Sequence, residues 1–146
     1  GRYPILGTGG IIGRTNAFLY DKPSVLIGRK GTIDRPQYME TPFWTIDTLF
    51  YTSISNRALP RFIFYVFCTI NWQQYNAATG VPSLAASTIE SIKIQLPPLA
   101  EQHKIAETLQ AVDADTEMIN RRVETLRKQK RGLMQKLLTG EVRVAA

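Results

Sequence analysis

Leu96-Pro97-Pro98-Leu99-Ala100-Glu101-Gln102-His103-Lys104-Ile105-Ala106, with the run that follows it to Leu138, decides the fold. Steps of four and three from Ile105 reach Leu109, Val112, Thr116, Ile119, Val123, Leu126, Lys130, Leu133 and Leu137. Eight of these ten positions are apolar, Thr116 and Lys130 being the exceptions. That spacing is the a/d seam of a heptad pattern. No proline or glycine falls between Glu101 and Arg131. Gly132 weakens the last stretch by about 1 kcal/mol relative to alanine, and Gly140 supplies a C-terminal stop. Asp113 and Asp115 have the chemistry to cap a second helix, which leaves a break or kink near 111–115 open.

A helix over Glu101–Leu138 is about 57 Å long at about 1.5 Å per residue. The residues before it make too small a globule to cover such a seam, so much of it must meet another helix. Each seam side chain contributes about 1.5–3 kcal/mol when fully buried. Left in water, the stripe is an aggregation hazard. Ile105, Leu109, Val112, Ile119, Val123, Leu126, Leu133 and Leu137 are therefore expected to pair with a partner helix. Lys130 joins them as a polar seam residue of the kind that sets register or partner choice.

Upstream, the grammar is that of short strands punctuated by glycine and proline. Ser24-Val25-Leu26-Ile27 is an apolar run ending at Gly28. Trp44 to Thr52, rich in β-branched and aromatic residues, reads as one strand with a buried face and with Asp47 half-buried inside it. Ile92, Ile94 and Leu96 alternate with Lys93 and Gln95, a strand that Pro97-Pro98 ends. The run Phe62–Ile70 has strand composition. Yet Pro60 suits a first helical turn, and Ile63, Val66, Phe67 and Ile70 share one helical face. Helix is the preferred reading, continuing through Gln73-Gln74-Tyr75 to Gly80.

The 146 residues, 44% apolar and 21% charged, suit a globular domain with an appendage and exclude a disordered chain. A single cysteine, Cys68, excludes a disulfide-stapled scaffold. The charge-free stretch between Phe62 and Ile89 contains too many amides, plus Gly80 and Pro82, to supply the roughly 20 apolar residues of a membrane span. No signal-peptide pattern opens the chain, and a soluble cytoplasmic protein is expected. The net charge of +6 favours polyanionic partners. Arg121, Arg122, Arg127, Lys128, Lys130, Arg131 and Lys136 crowd one stretch, either as a solvated face or as a contact for phosphates or an acidic subunit.

Gly7-Thr8-Gly9-Gly10-Ile11-Ile12-Gly13 fails the dinucleotide fingerprint, because Ile12 stands where the third glycine belongs. Gly28-Arg29-Lys30-Gly31-Thr32 lacks the four-residue gap of a P-loop. Both are expected to be turns. The second still places two cations and a hydroxyl at a strand end, with Arg35 close behind, a set suited to phosphates and guanine edges. Arg14-Thr15-Asn16, read as a neighbouring loop, is a weaker candidate of the same kind. His103, the sole histidine, is expected on the surface and has no partners at zinc-ligand spacing. No metal, cofactor or catalytic pair is expected on this chain.

Together these residues resemble one repeat of the DNA-specificity subunit of type I restriction–modification systems. Leu96 to Ala106, with Leu109 and Asp113, is similar to the Pro-Pro…Glu-Gln…Ile-Ala…Leu…Asp signature that opens the family's helical region. Leu126, Lys130, Leu133-Met134 and Leu137-Leu138-Thr139-Gly140 resemble its closing segment. Tyr3-Pro4 with Gly7–Gly13, Val25–Thr32, Phe43–Thr48 and Gly80–Leu84 resemble a target recognition domain.

The resemblance implies an α+β fold: a small, mixed, strand-rich recognition domain over 1–98, N-terminally incomplete, followed by a helical region over 99–140 and a tail at 141–146. It implies that the long helix pairs as an antiparallel coiled coil, with a second helical region of the same subunit or with a homodimer partner. The recognition domain would read one half of a bipartite double-stranded DNA target, with Arg14, Arg29, Lys30, Thr32, Arg35, Thr79 and Ser83 facing DNA. Methyltransferase subunits would dock on the helices and a restriction–translocase subunit would join them. S-adenosylmethionine, ATP and Mg would sit only on those partners, leaving this chain non-catalytic. The competing reading is a coiled-coil adaptor whose globular part binds protein.

Overall fold

The computed structural model describes residues 1–145; Ala146, the end of the expected tail, lies outside the described residues. By contacts the chain divides after Ala106. The first unit holds six short strands: β1 (Tyr3–Gly7), β2 (Gly10–Thr15), β3 (Ser24–Gly28), β4 (Gln37–Met39), β5 (Trp44–Thr45) and β6 (Leu49–Tyr51). They form two three-stranded sheets, ordered β2-β1-β5 and β4-β3-β6. Only the β1–β5 pair is parallel among the described strands.

The centre is β3, buried at all five positions. Its alternate side chains serve two cores, as the two-residue period of a strand requires. Val25 and Ile27 join Ile33, Phe62, Ile63, Phe67, Trp72 and Leu84, while Leu26 packs with Leu6, Phe43 and Leu49. Two-sided burial explains why this strand reads as a continuous apolar run. Ser24 opens it with a hydroxyl donated to the Thr52 carbonyl at 2.8 Å, and Thr52 Oγ1 accepts from Val25 N–H at 2.9 Å.

Helix α1 (Pro60–Thr69) has Pro60 in its first turn and packs Phe62, Ile63 and Phe67 against β3. The sequence expectation of helix here holds, but its continuation to Gly80 does not. Ile70 turns extended, and Trp72 folds back to donate its indole N–H to the Phe67 carbonyl at 2.9 Å, its ring 5.1 Å from that of Phe67. The chain then makes only a 3₁₀ turn over Trp72–Tyr75. Burial of the tryptophan outweighs the polar-apolar pattern beyond it.

Two further expectations are corrected. The single strand over Trp44–Thr52 is split between the sheets, because Ile46 N–H still reaches Leu6 of the first while Leu49 already pairs in the second. Asp47 sits in that crossing and is exposed, not half-buried. The alternating Ile92–Leu96 is no strand: it follows α2 (Ala86–Ser91) as irregular chain with no recorded ladder partner. An alternating pattern makes a strand only where another strand offers its edge.

Pro98 then starts α3 (Leu99–Leu138), its carbonyl accepting from Glu101 N–H at 2.9 Å and Gln102 N–H at 3.0 Å. The helix is one piece, with no interruption across 111–115. Its first two turns belong to the globular unit, where Gln102 and Ala106 are buried and Ile105 packs partly against the first core cluster. Gln102 is fully covered. Its Oε1 accepts from Leu59 N–H, the N-cap of α1, at 2.7 Å. Its Nε2 donates to the carbonyls of Pro97 at 2.8 Å and Arg57 at 3.1 Å.

The second unit is helical from Glu107 to Leu138. Its seam is uncovered: Val112, Ile119, Leu126 and Leu133 are each more than half exposed. Gly140, at φ +77°, closes the helix, with Val142 N–H returning to the Lys136 carbonyl at 3.1 Å. Among the described residues no helix is long and apolar enough to cross a membrane.

Candidate nucleic-acid interface

The interface grows from the end of β3. Gly28 is required there, since a Cβ would overlap the Thr32 carbonyl as the chain doubles back. Gly31 sits at φ +91°, a left-handed conformation natural to glycine. Between them the backbone of the turn is held from two sides. Thr48 O accepts from Arg29 N–H at 2.8 Å and from Lys30 N–H at 3.3 Å. On the other side Gly31 N–H donates to Pro82 O, and Leu84 N–H to Arg29 O, both at 2.9 Å. Lys30 and Ser83 thus form an antiparallel bridge between two loops.

The second loop is shaped by Asn76. Its Oδ1 accepts from Ala78 N–H at 3.1 Å and Ser83 N–H at 3.0 Å, while Nδ2 donates to Ala78 O at 3.0 Å. One amide therefore closes the whole 76–83 excursion, as asparagine side chains do by imitating backbone. With its main chain satisfied, the turn sends its side chains outward. Arg29 lies 5.9 Å over the Phe50 ring with Nη1 3.5 Å from the Asp47 carbonyl. Lys30 and Arg35 are exposed, and their charged groups have no hydrogen-bond or ion-pair partner among the described residues.

The structure thereby gathers Arg29, Lys30, Thr32, Arg35 and Ser83 into one loop cluster, with Thr79 exposed in the adjoining loop. Ser83 lines a concavity of about 460 Å³ with Arg29, Lys30 and Phe50. Arg14 is placed differently. It lies within β2, not in a loop, opposite Pro4, its Nη1 donating to the Arg2 carbonyl at 3.2 Å. Four residues of strand, roughly 14 Å, separate it from the β1–β2 turn that adjoins the cluster.

Residues that sequence reasoning missed are Thr8, Gln37, Thr48 and Asn76. Gln37 Nε2 donates to Gly7 O at 2.8 Å and so fastens the β1–β2 turn to the chain after Arg35. Asn76 carried a signal, an asparagine a few residues before a Gly-Val-Pro turn. Thr48 acts through its carbonyl, and no residue-type signal marks that. Tyr38 on β4 is held above the ordinary phenol range by burial first and by the Glu40 carboxylate second. Among the described residues no cluster of His, Cys, Asp and Glu is arranged to hold a metal ion.

The helix-pairing positions all fall on α3. Leu109 through Leu133 are exposed, Leu137 is half-buried, and Ile105 is shared with the globular core.

The layout is that of a recognition-type α+β module, with a cationic loop cluster on its globule and a long helix carrying an apolar seam. The sequence profile described as the type I restriction modification DNA specificity domain matches residues 1–128, and the chain belongs to that family. It is 46% identical over 61 residues to the specificity subunit of the type I restriction enzyme MjaVIII of Methanocaldococcus jannaschii, covering 42% of this chain and 14% of that one. It is 27% identical over 118 residues to the EcoprrI specificity subunit of Escherichia coli, covering 80% of this chain and 29% of that one. The chain thus spans less than a third of the length of these curated relatives. The crystal structure of a type I restriction–modification S subunit from M. genitalium shares the fold, with a TM-score of 0.68 at 20% identity over 93% of this chain and 38% of that one.

Proposed function

We propose that the chain recognises double-stranded DNA sequence as a specificity module of a type I restriction–modification system, reading one half of a bipartite target. The observation that carries this is the loop cluster: Arg29, Lys30, Thr32, Arg35 and Ser83, scattered over 55 positions, are brought together around a turn whose Arg29, Lys30 and Gly31 N–H groups are hydrogen-bonded to neighbouring loops. Cations free of internal partners are what phosphate and base edges require. The Gly31 turn has no bulk to hinder a groove.

The helix supplies distance. Residues 107–138 span about 48 Å, more than one turn of B-DNA at about 34–36 Å. Paired antiparallel with a second helical region, in the same subunit or a second copy, α3 holds two reading modules a set distance apart. Methyltransferase subunits dock on that pair and a restriction–translocase subunit joins them. S-adenosylmethionine, ATP and Mg are the partners' cofactors, and the chain itself reads without chemistry. The complex works in the cytoplasm.

The test is binding to a randomised duplex pool with variable spacers, at about 50 to 200 mM salt. Expected are enrichment of a split motif and a steep linear fall of log affinity with log salt. Inserting seven residues into the seam of α3 lengthens it by about 10.5 Å, which should move the preferred spacer by about three base pairs at about 3.4 Å each. An adaptor that binds protein through an apolar patch would enrich no motif and respond little to salt; that outcome overturns the proposal.

A further inference from the structure

Beside the basic turn lies a pocket of about 180 Å³ lined by Thr8, Gly9, Gly10, Thr32, Arg35 and Gln37. It is smaller than the roughly 300–1,000 Å³ of sites that take whole organic ligands, so it admits one small group. Its chemistry selects the sign of that group. Arg35, whose guanidinium has no hydrogen-bond or ion-pair partner among the described residues, lines it together with the hydroxyl-bearing Thr8 and Thr32. No carboxylate lines it. Asp34, the nearest in sequence, is turned to Gln73, whose Nε2 it accepts at 3.1 Å.

The glycines complete the arrangement. Gly10 sits at φ +113°, and the space where a Cβ would stand on Gly9 or Gly10 is empty, so bare backbone faces the opening. Two nearby carbonyls that would repel an anion are already engaged, because Gln37 Nε2 donates to Gly7 O at 2.8 Å and lies 3.4 Å from Thr8 O. Fastening by Gln37 also holds the β1–β2 turn over Thr32 and Arg35. A concavity with two of its neighbouring carbonyls already hydrogen-bonded and one cation at the rim suits a tetrahedral oxyanion.

We propose that this pocket seats a single phosphate of the DNA backbone. Arg35 and the hydroxyls of Thr8 and Thr32 donate to its non-bridging oxygens, and the Gly9-Gly10 backbone gives it room. This rests on the DNA reading above and deepens it. Arg35 becomes a register-setting phosphate contact, and base reading falls to the other side of the turn, where Arg29 and Lys30 stand. Inorganic phosphate and mononucleotides carry the same charged group, and the experiment separates them from a phosphodiester.

The full chain is titrated against a mixed-sequence 30-base-pair duplex across salt concentrations, then against its enriched motif with single methylphosphonate substitutions. Arg35→Ala should weaken binding to all sequences alike, roughly tenfold, and reduce the log–log salt slope by about 0.9, the value for one phosphate contact. Arg35→Lys should restore the slope. Thr8→Val and Thr32→Val should weaken binding several-fold at unchanged slope. One methylphosphonate position should cost the wild type as much as Arg35→Ala does, and cost Arg35→Ala nothing further. Thermal melts confirm that the variants fold, as expected for an exposed, unpaired arginine.

If the wild type binds DNA but Arg35→Ala keeps its slope, or loses affinity at one base pair only, the pocket assignment falls and the DNA reading stands. If inorganic phosphate, titrated without DNA, binds the wild type and not Arg35→Ala while no methylphosphonate position couples to Arg35, the assignment to a backbone phosphodiester also falls. A wild type with no salt-dependent DNA binding removes both.

Discussion

The globular unit and the helix beyond Glu107 use apolar residues in opposite ways. In the globule, Val25, Leu26, Ile27, Ile33, Phe43 and Trp72 are almost wholly removed from water. On the helix, Val112, Ile119, Leu126 and Leu133 carry comparable side chains at a regular spacing and leave more than half of each exposed. The first pattern completes itself within one chain. The second leaves its apolar stripe open within this chain, and the proposed cover is another helix. Stability of the globule and assembly through the helix should therefore respond to different mutations.

The largest effect should come from the core. Phe67→Ala removes a ring packed on Trp72 and is expected to cost about 3–5 kcal/mol in urea denaturation followed by tryptophan fluorescence. Ile119→Ala, on the uncovered seam, should change monomer stability by less than about 0.5 kcal/mol in the same measurement. Equal losses for the two would erase the contrast between the regions.

Assembly should show the reverse order. Ile119→Asp combined with Leu126→Asp places two charges in a seam whose side chains contribute about 1.5–3 kcal/mol each when buried. Sedimentation should then show only monomer, with the globule melting as in the wild type. A pairing helix that tolerates both charges would contradict the seam.

Gln102→Ala sharpens the comparison where the helix leaves the globule. It strands Leu59 N–H and the carbonyls of Arg57 and Pro97, three partly covered backbone groups around a fully buried amide. A loss of about 1–3 kcal/mol is expected by denaturation. Smallest of all should be Arg127→Ala, which removes an exposed pair with Glu124 at 2.8 Å. Such pairs contribute about 0–1 kcal/mol, and less at high salt.

Much of this was legible beforehand. The heptad spacing announced α3, Pro60 and the Ile63/Phe67 face announced α1, and the apolar run ending at Gly28 announced β3. The basic turn was visible as a glycine-bracketed pair of cations. Hidden were the crossing at Asp47-Thr48, the fate of Ile92–Leu96, the stop at Thr69 and the strand position of Arg14. Each depends on which edge or core lies nearby, and local pattern carries no record of that. Gln102 could be quoted within a signature motif, yet two of its three bonds join chain segments more than forty residues apart.

Periodicity, charge and turn chemistry are properties of neighbours along the chain, and they alone determined that this protein is a strand-rich globule followed by a long, seam-bearing helix. Tertiary structure decided which loops stand side by side, because backbone hydrogen bonds between Thr48, Arg29, Pro82 and Leu84 form only once distant segments meet. The loop cluster and the small pocket beside it are consequences of those meetings.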